Sequence, residues 1–307
     1  MARWIGMFCF LFLLACAADR EPGELFGPSS GGMLVIDALL VVDHPLPDVF
    51  VHETVAPGTP YSREMAAVLG AEVAICQGEQ VFGYQADPDS LGRYLPAGDF
   101  ASVMPGTDYQ LTVLSEGREA RATTRTPGRF HITETVLLDE ESLAVRRSLR
   151  GFPGDADSVF AAPENQVTYL DGLLEARFAP TDVPAFQAGF FSLDLDSDPV
   201  IEADFLREED YENLERQGSS PPLEGRDGVL RMPWLMISFA GRHLIRIYAL
   251  DDNWFDYIRS SQGGGFGEEA GGSFERPLFH VAGGIGLFGS ASVDSLGFVV
   301  LPKEPAP

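Results

Sequence analysis

From Met33 to about Thr126 apolar and polar residues alternate in short runs divided by turn residues, the pattern of half-buried strands. Met33–Val42 is apolar and rich in β-formers, and Asp48–Val55 alternates with period two. Gly70–Cys76 and Gln80–Tyr84 flank Gln77-Gly78-Glu79 as a hairpin would. Tyr109–Leu114 and Arg118–Thr126 flank a tight turn at Glu116-Gly117. Turn signals at this spacing, without helical periodicity, predict a β-sandwich over residues 33–127.

Thr126-Pro127-Gly128 marks the expected boundary, and residues 128–303 read as a second, larger β-rich domain. Strands are expected over Phe130–Leu138, Asn165–Phe178 and Phe190–Leu195, and a short helical insertion over Phe205–Glu215. Val229–Ala240 and His243–Asp251 suggest a hairpin turning at Gly241. Gly263–Gly272 reads as a Gly-rich loop, and Pro277–Ala282 and Leu296–Leu301 as the last strands. Pro105-Gly106-Thr107-Asp108-Tyr109 before a strand resembles fibronectin type III and related sandwiches, in which a tyrosine secures a corner. The class is therefore mainly β, with an Ig-like or fibronectin-like sandwich first.

The N-terminus has a different pattern. Arg3 precedes an apolar run, Trp4 to Leu14, too short to span a bilayer as a stable helix and of the length of a secretory signal. Leu13-Leu14-Ala15-Cys16 resembles the lipobox of bacterial lipoproteins, which implies cleavage after residue 15 and acylation of Cys16. Residues 16–32, with Pro22, Pro28 and Ser29-Ser30-Gly31-Gly32, then read as a flexible tether. Ala17 after the cysteine resembles the pattern for delivery to the outer membrane, on its periplasmic or surface side.

A formal net charge of −25 repels phosphate backbones, so nucleic-acid binding is not expected. Of the 3 cysteines, Cys9 lies in the signal and Cys16 at the lipid site. Cys76 alone remains, which leaves no intrachain disulfide and makes it a small buried hydrophobe on a strand.

Several motifs invite chemistry. Gly284-Ile285-Gly286-Leu287-Phe288-Gly289 spells G-x-G-x-x-G, but the few residues after it cannot supply a βαβ unit, so the glycines read as structural. Gly27-Pro28-Ser29-Ser30-Gly31 spells G-x-S-x-G inside the tether, without the flanking strand and helix of a nucleophile elbow. Asp194, Asp196 and Asp198 alternate like the start of a calcium loop, although Pro199 and Phe205 replace the expected Gly and Glu. His44, His52, His131, His243 and His280 lack zinc-site spacing and read as isolated surface or turn residues. No cofactor is implied. Trp254, Phe255 and Tyr257, after Asp251-Asp252-Asn253, are the candidate ligand or partner contacts.

The lipobox, Leu34-Val35-Ile36-Asp37-Ala38, Gly70-Ala71-Glu72-Val73, Pro105–Leu111, Ala122–Pro127, Tyr248–Tyr257 and Pro277–Gly289 together resemble the bacterial lipoprotein family called domain of unknown function 4249. Residues 140–230 match it only loosely, and His280-Val281-Ala282 stand where the family usually carries Ser-Asn. The resemblance implies an envelope lipoprotein beside a TonB-dependent outer-membrane transporter, and it carries over no catalytic residue. A non-enzymatic accessory or binding role is the expectation; a surface hydrolase of peptide or glycan and a structural envelope protein are the alternatives.

Overall fold

The alternation of the first third becomes strand pairing in the computed structural model, which describes residues 32–56, 59–98, 102–152, 156–201, 207, 212–225, 227–261 and 277–302. The strands are β1 (Leu34–Val41), β2 (Val49–Glu53), β3 (Glu72–Gln77), β4 (Gln80–Ala86), β5 (Arg93–Pro96), β6 (Asp108–Ser115) and β7 (Arg118–Arg125). A single helical turn, α1 (Arg63–Ala66), lies between β2 and β3. One layer is β1-β2-β5 and the other β4-β3-β6-β7, the layering of a fibronectin-like sandwich. Both fill one core, with Leu34, Ile36, Leu40, Val49 and Val51 facing Ile75, Leu111 and Val113. Tyr109 does secure a corner: its ring is buried and its hydroxyl accepts the Met104 N–H at 2.9 Å.

The remainder is also mainly β: β8 (Ile132–Leu138), β9 (Val145–Leu149), β10 (Gln166–Val167), β11 (Leu173–Phe178), β12 (Phe186–Ser192), β13 (Gln217–Ser219), β14 (Val229–Met232), β15 (Gly241–Leu250), β16 (Val281–Ala282) and β17 (Gly284–Val300). Helices α2 (Ala156–Ala161) and α3 (Asp252–Ser261) complete it. A four-stranded sheet, β14-β11-β8-β9, packs on β13-β12-β15-β17. Leu137, Leu174, Ala176 and Leu230 from the first meet Phe186, Phe190, Ile245, Ile247 and Phe298 from the second. Among the described residues no helix is long and apolar enough to cross a membrane.

Strand β17 joins the two cores. Its first half, Gly284–Ala291, pairs in parallel with β1, and its second, Ala291–Val300, pairs antiparallel with β15. Ala291 is therefore opposite both Val41 and Leu250. Phe288 enters the first core, and Leu296 and Phe298 the second. Pairing thus crosses the boundary expected near residue 127. The glycines at 283–289 interrupt the apolar pattern and hide this strand, so that only Leu296–Leu301 is expected from sequence.

The hairpin expected over 229–251 is not present. β14 pairs with β11 in the small sheet, whereas β15 pairs with β12 and β17 in the other layer. Pro233, without an N–H to donate, ends β14 and leads into a 3-10 turn, Trp234–Met236, that carries the chain across. Helix α3 occupies residues for which no helix is expected. The helix expected over 205–215 falls largely outside the described residues, as do Cys16, the tether up to Gly31, the G-x-S-x-G match and the 263–272 loop.

The G-x-G-x-x-G run lies within β17 and makes no phosphate-binding turn. Gly286 has φ +112, and a Cβ there would stand 2.0 Å from the Ile36 carbonyl oxygen. Gly286→Ala therefore cannot keep the β1–β17 register without moving backbone, and a cost of about 2 kcal/mol or more is expected. Because one strand serves both cores, the denaturation midpoint reported by Trp234, buried in the second, should fall with that of the whole chain. An unmoved Trp234 transition would show that the two cores are independent.

Candidate functional site

Helix α3 carries Trp254, Phe255 and Tyr257, and its first turn is bolted to both halves of the molecule. Asp251, the residue after β15, is buried. Its Oδ1 accepts the Trp254 N–H at 2.9 Å, capping the helix, and its Oδ2 accepts the Thr124 hydroxyl of β7. Thr124 Oγ1 also lies 2.8 Å from Ser290 Oγ of β17, and the Asp251 N–H donates to the Ser290 carbonyl at 2.9 Å. Asn253 Nδ2 donates to the carbonyls of Thr123, at 2.7 Å, and Phe288, at 2.9 Å. Burial pushes the Asp251 carboxyl up, and the bonds from Thr124, Ser290 and the Trp254 backbone only partly offset it.

The aromatic residues differ in what they leave free. Trp254 packs on Tyr248, ring centroids 5.7 Å apart, beside Ala185, Leu250, Ile258 and Ala291. A Cβ on Gly289 would come within 3.0 Å of Trp254 Cβ, so glycine there permits the helix to lie this close to β17. Tyr257 meets Phe279 with ring centroids 6.2 Å apart, and neighbouring Asp256 binds Arg259 at 2.7 Å and His280 at 2.8 Å. Phe255 has the Arg259 guanidinium 5.5 Å from its ring centroid and borders a cavity of about 1280 Å³.

That cavity adjoins the small sheet, with Pro184, Ala185, Pro222 and Leu223 among its other lining residues. Glu175 of β11, almost fully buried, also lines it. Its carboxylate accepts Arg177 Nε at 2.9 Å and Arg231 Nε at 3.1 Å, and Arg177 also bridges to Glu134 at 3.0 Å. Two guanidinium groups thus pair with one buried carboxylate and satisfy both of its oxygens. The volume lies above the roughly 300–1,000 Å³ usual for a small-molecule site. A smaller cavity of about 510 Å³ adjoins the start of α3, lined by Asp108, Gln110, Thr123 and Asp252 among others, and Cys76, expected to be buried, is half-buried and part of its lining.

Both oxygens of Glu175 and of Asp251 are committed to bonds that hold elements together, which leaves neither poised as a base or nucleophile. Glu175, Arg177 and Arg231 are not singled out by sequence. Glu175 and Arg177 alternate with apolar Leu174, Ala176 and Phe178, a pattern that places both on one face without revealing that a cavity adjoins it.

The calcium candidates are not gathered. Asp194 Oδ1 binds the Arg242 guanidinium at 2.6 Å and Oδ2 the Arg242 N–H at 2.7 Å, and this arginine holds the carboxyl below the usual range. Asp196 and Asp198 are exposed, and no group of three or more potential metal ligands occurs among the described residues. The histidines are not all at the surface as expected. His243 is buried, stacked 5.8 Å from Phe298, with Nδ1 2.9 Å from the Gly241 carbonyl and Nε2 without a partner. Burial lowers its pKa and keeps it neutral. Its alternation with Ile245 and Ile247 carries the signal for this inward position.

No family model and no curated protein matches the chain. Among solved structures, the crystal structure of the chicken CNTN1 FN1–FN3 domains aligns over 90% of this chain and 70% of its own, with 9% identity and a TM-score of 0.27. The fold assignment rests on the strand pairing above.

Because burial raises the Asp251 pKa, the folded state holds this proton more tightly than the unfolded chain. Its contribution is most favourable at acid pH and fades as pH rises through the raised value. Asp251→Asn keeps an oxygen for the Trp254 N–H and should flatten this part of the stability–pH profile without loss at neutral pH. Asp251→Ala loses the cap and should cost about 1 kcal/mol at neutral pH. Urea midpoints across the acid range for the three proteins would check both, and a parallel profile for Asp251→Asn would refute the assignment.

Proposed function

We propose that the chain is a lipid-anchored protein of the bacterial outer membrane whose role is non-enzymatic: an accessory or binding component, working beside a TonB-dependent transporter. The observation that carries the binding role is the large cavity bordered by Phe255, in which the buried carboxylate is already occupied by two arginines. Such a site sets Leu223, Pro222 and Phe255 beside charged Arg177, Glu224, Asp227 and Arg231, a mixed lining that suits recognition of a polar ligand. The anchor is supported by Leu13-Leu14-Ala15-Cys16 and the apolar run before it, which would place Cys16 first in the mature chain. Two or three acyl chains there would hold the body at a bilayer. The transporter partner follows from the resemblance to the lipoprotein family named above.

Gentle detergent extraction of the tagged protein from its native outer membrane, followed by mass spectrometry, should recover a TonB-dependent transporter in stoichiometric amount. Phe255→Ala should reduce that recovery, or the retention of a bound small molecule, without lowering the amount of folded protein. Recovery of the protein alone from well-solubilised membranes would sink the stable-complex reading, and turnover of a peptide or glycan by the purified protein would replace binding with catalysis.

A further inference from the structure

The first sandwich carries a group of exposed apolar side chains where the chain joins it. Tyr61 is 64% exposed, Met65 57%, Leu69 65%, Leu91 50% and Met33 42%. Backbone pairing brings their segments together. The Gly32 N–H donates to the Thr54 carbonyl, and the Thr54 N–H to that of Met33. Residues 66–69 run antiparallel beside β2, with a bridge between His52 and Ala67 and a bond from the Val68 N–H to the Val51 carbonyl. On the same stretch of β2, the Val51 N–H donates to the Gly92 carbonyl, next to Leu91. Alternation explains the exposure: Ala66 and Val68 turn inward and are buried, while Leu69 turns out.

Packing within the chain does not account for these side chains, whose partners in sequence, Ala66 and Val68, already complete the local core. Exposed apolar residues that converge in this way mark an interaction surface. The occupant is argued from where the chain goes. Residues 17–31 separate Gly32 from Cys16 and can extend at most about 58 Å. A lipid on Cys16 therefore holds the face containing Gly32 close to the bilayer at high effective concentration, so that a patch too small to bind membranes alone is recruited by the anchor. Arg63 and Glu64, both exposed on α1 between Tyr61 and Met65, balance in charge, so the apolar side chains rather than a net charge would carry the contact.

We infer that Tyr61, Met65 and Leu69, with Met33 and Leu91 beside them, form the surface on which the anchored body rests against the lipid bilayer. This rests on the reading of Cys16 as the lipid site.

The test uses the full chain, expressed in a lipoprotein-processing bacterium, purified from membranes and reconstituted into phosphatidylethanolamine–phosphatidylglycerol vesicles with brominated acyl chains. Tyr61→Trp should lose emission to the bromines, whereas Leu195→Trp, in the other sandwich at a residue 76% exposed, should not. Adding Met65→Asp and Leu69→Asp to Tyr61→Trp should restore the emission; circular dichroism confirms that the changed chain stays folded. Equal quenching at the two positions, or none at position 61, overturns the inference. Mass spectrometry of the N-terminal peptide from the same sample separates the causes: failure with an acylated Cys16 removes only the resting surface, and failure with an unmodified Cys16 removes the anchor as well.

Discussion

The parallel pairing of β17 with β1, continued by its antiparallel pairing with β15, is the interaction on which the rest of the structure depends. A strand has two hydrogen-bonding edges, and each half of β17 uses a different one to reach its main partner. The change happens at Ala291, which has a partner on either side. Side chains of a strand alternate between faces, so the parity that sends Phe288 into the first core fixes where Leu296 and Phe298 go in the second. The two sandwiches are thereby held in one register by a continuous backbone.

Helix α3 reinforces this arrangement at the point where the two halves of β17 meet. Asp251, Thr124, Ser290 and Asn253 form a polar lock that joins β7, β15 and β17 to the start of the helix. On the far side of α3, Phe255 borders the cavity that Glu175 also lines. The buried carboxylates of Asp251 and Glu175 thus hold elements of the fold together. Coupling between the lock and the cavity is short, since one helix carries both the capped first turn and Phe255.

The mainly β class and the N-terminal sandwich were legible because residues 34–125 bury one face per strand, which makes period two visible. Tyr109 was legible for the same reason: Pro105-Gly106 fixes the turn that aims it. Strand β17 was not, since close approach to β1 requires glycine at 286, and glycine removes the apolar signal that would announce a strand. Helix α3 was missed because consecutive aromatic residues look like a strand, and the capping role of Asp251 emerges only once Thr124 and Ser290 are beside it. Trp254, Phe255 and Tyr257 were singled out as aromatic residues, but their division into a packed tryptophan and a cavity-lining phenylalanine depends on the helix. Glu175 with its two arginines was invisible because its partners lie on the same strand and on another, 56 residues away for Arg231.

The shared strand also sets an order of events during synthesis. β17 follows every other described strand in the chain, yet the first sandwich pairs with it along the whole length of β1. A ribosome releasing this polypeptide from its N-terminus delivers seven strands of the first sandwich long before their last partner exists. That core keeps an unpaired β1 edge until nearly the whole chain has emerged, and the contacts that close it are among the longest-range in the molecule. Slow closure is a hazard for a protein that must fold where it is made. The final fold of the first sandwich therefore cannot lock until the far end of the chain arrives, whatever order its other strands adopt.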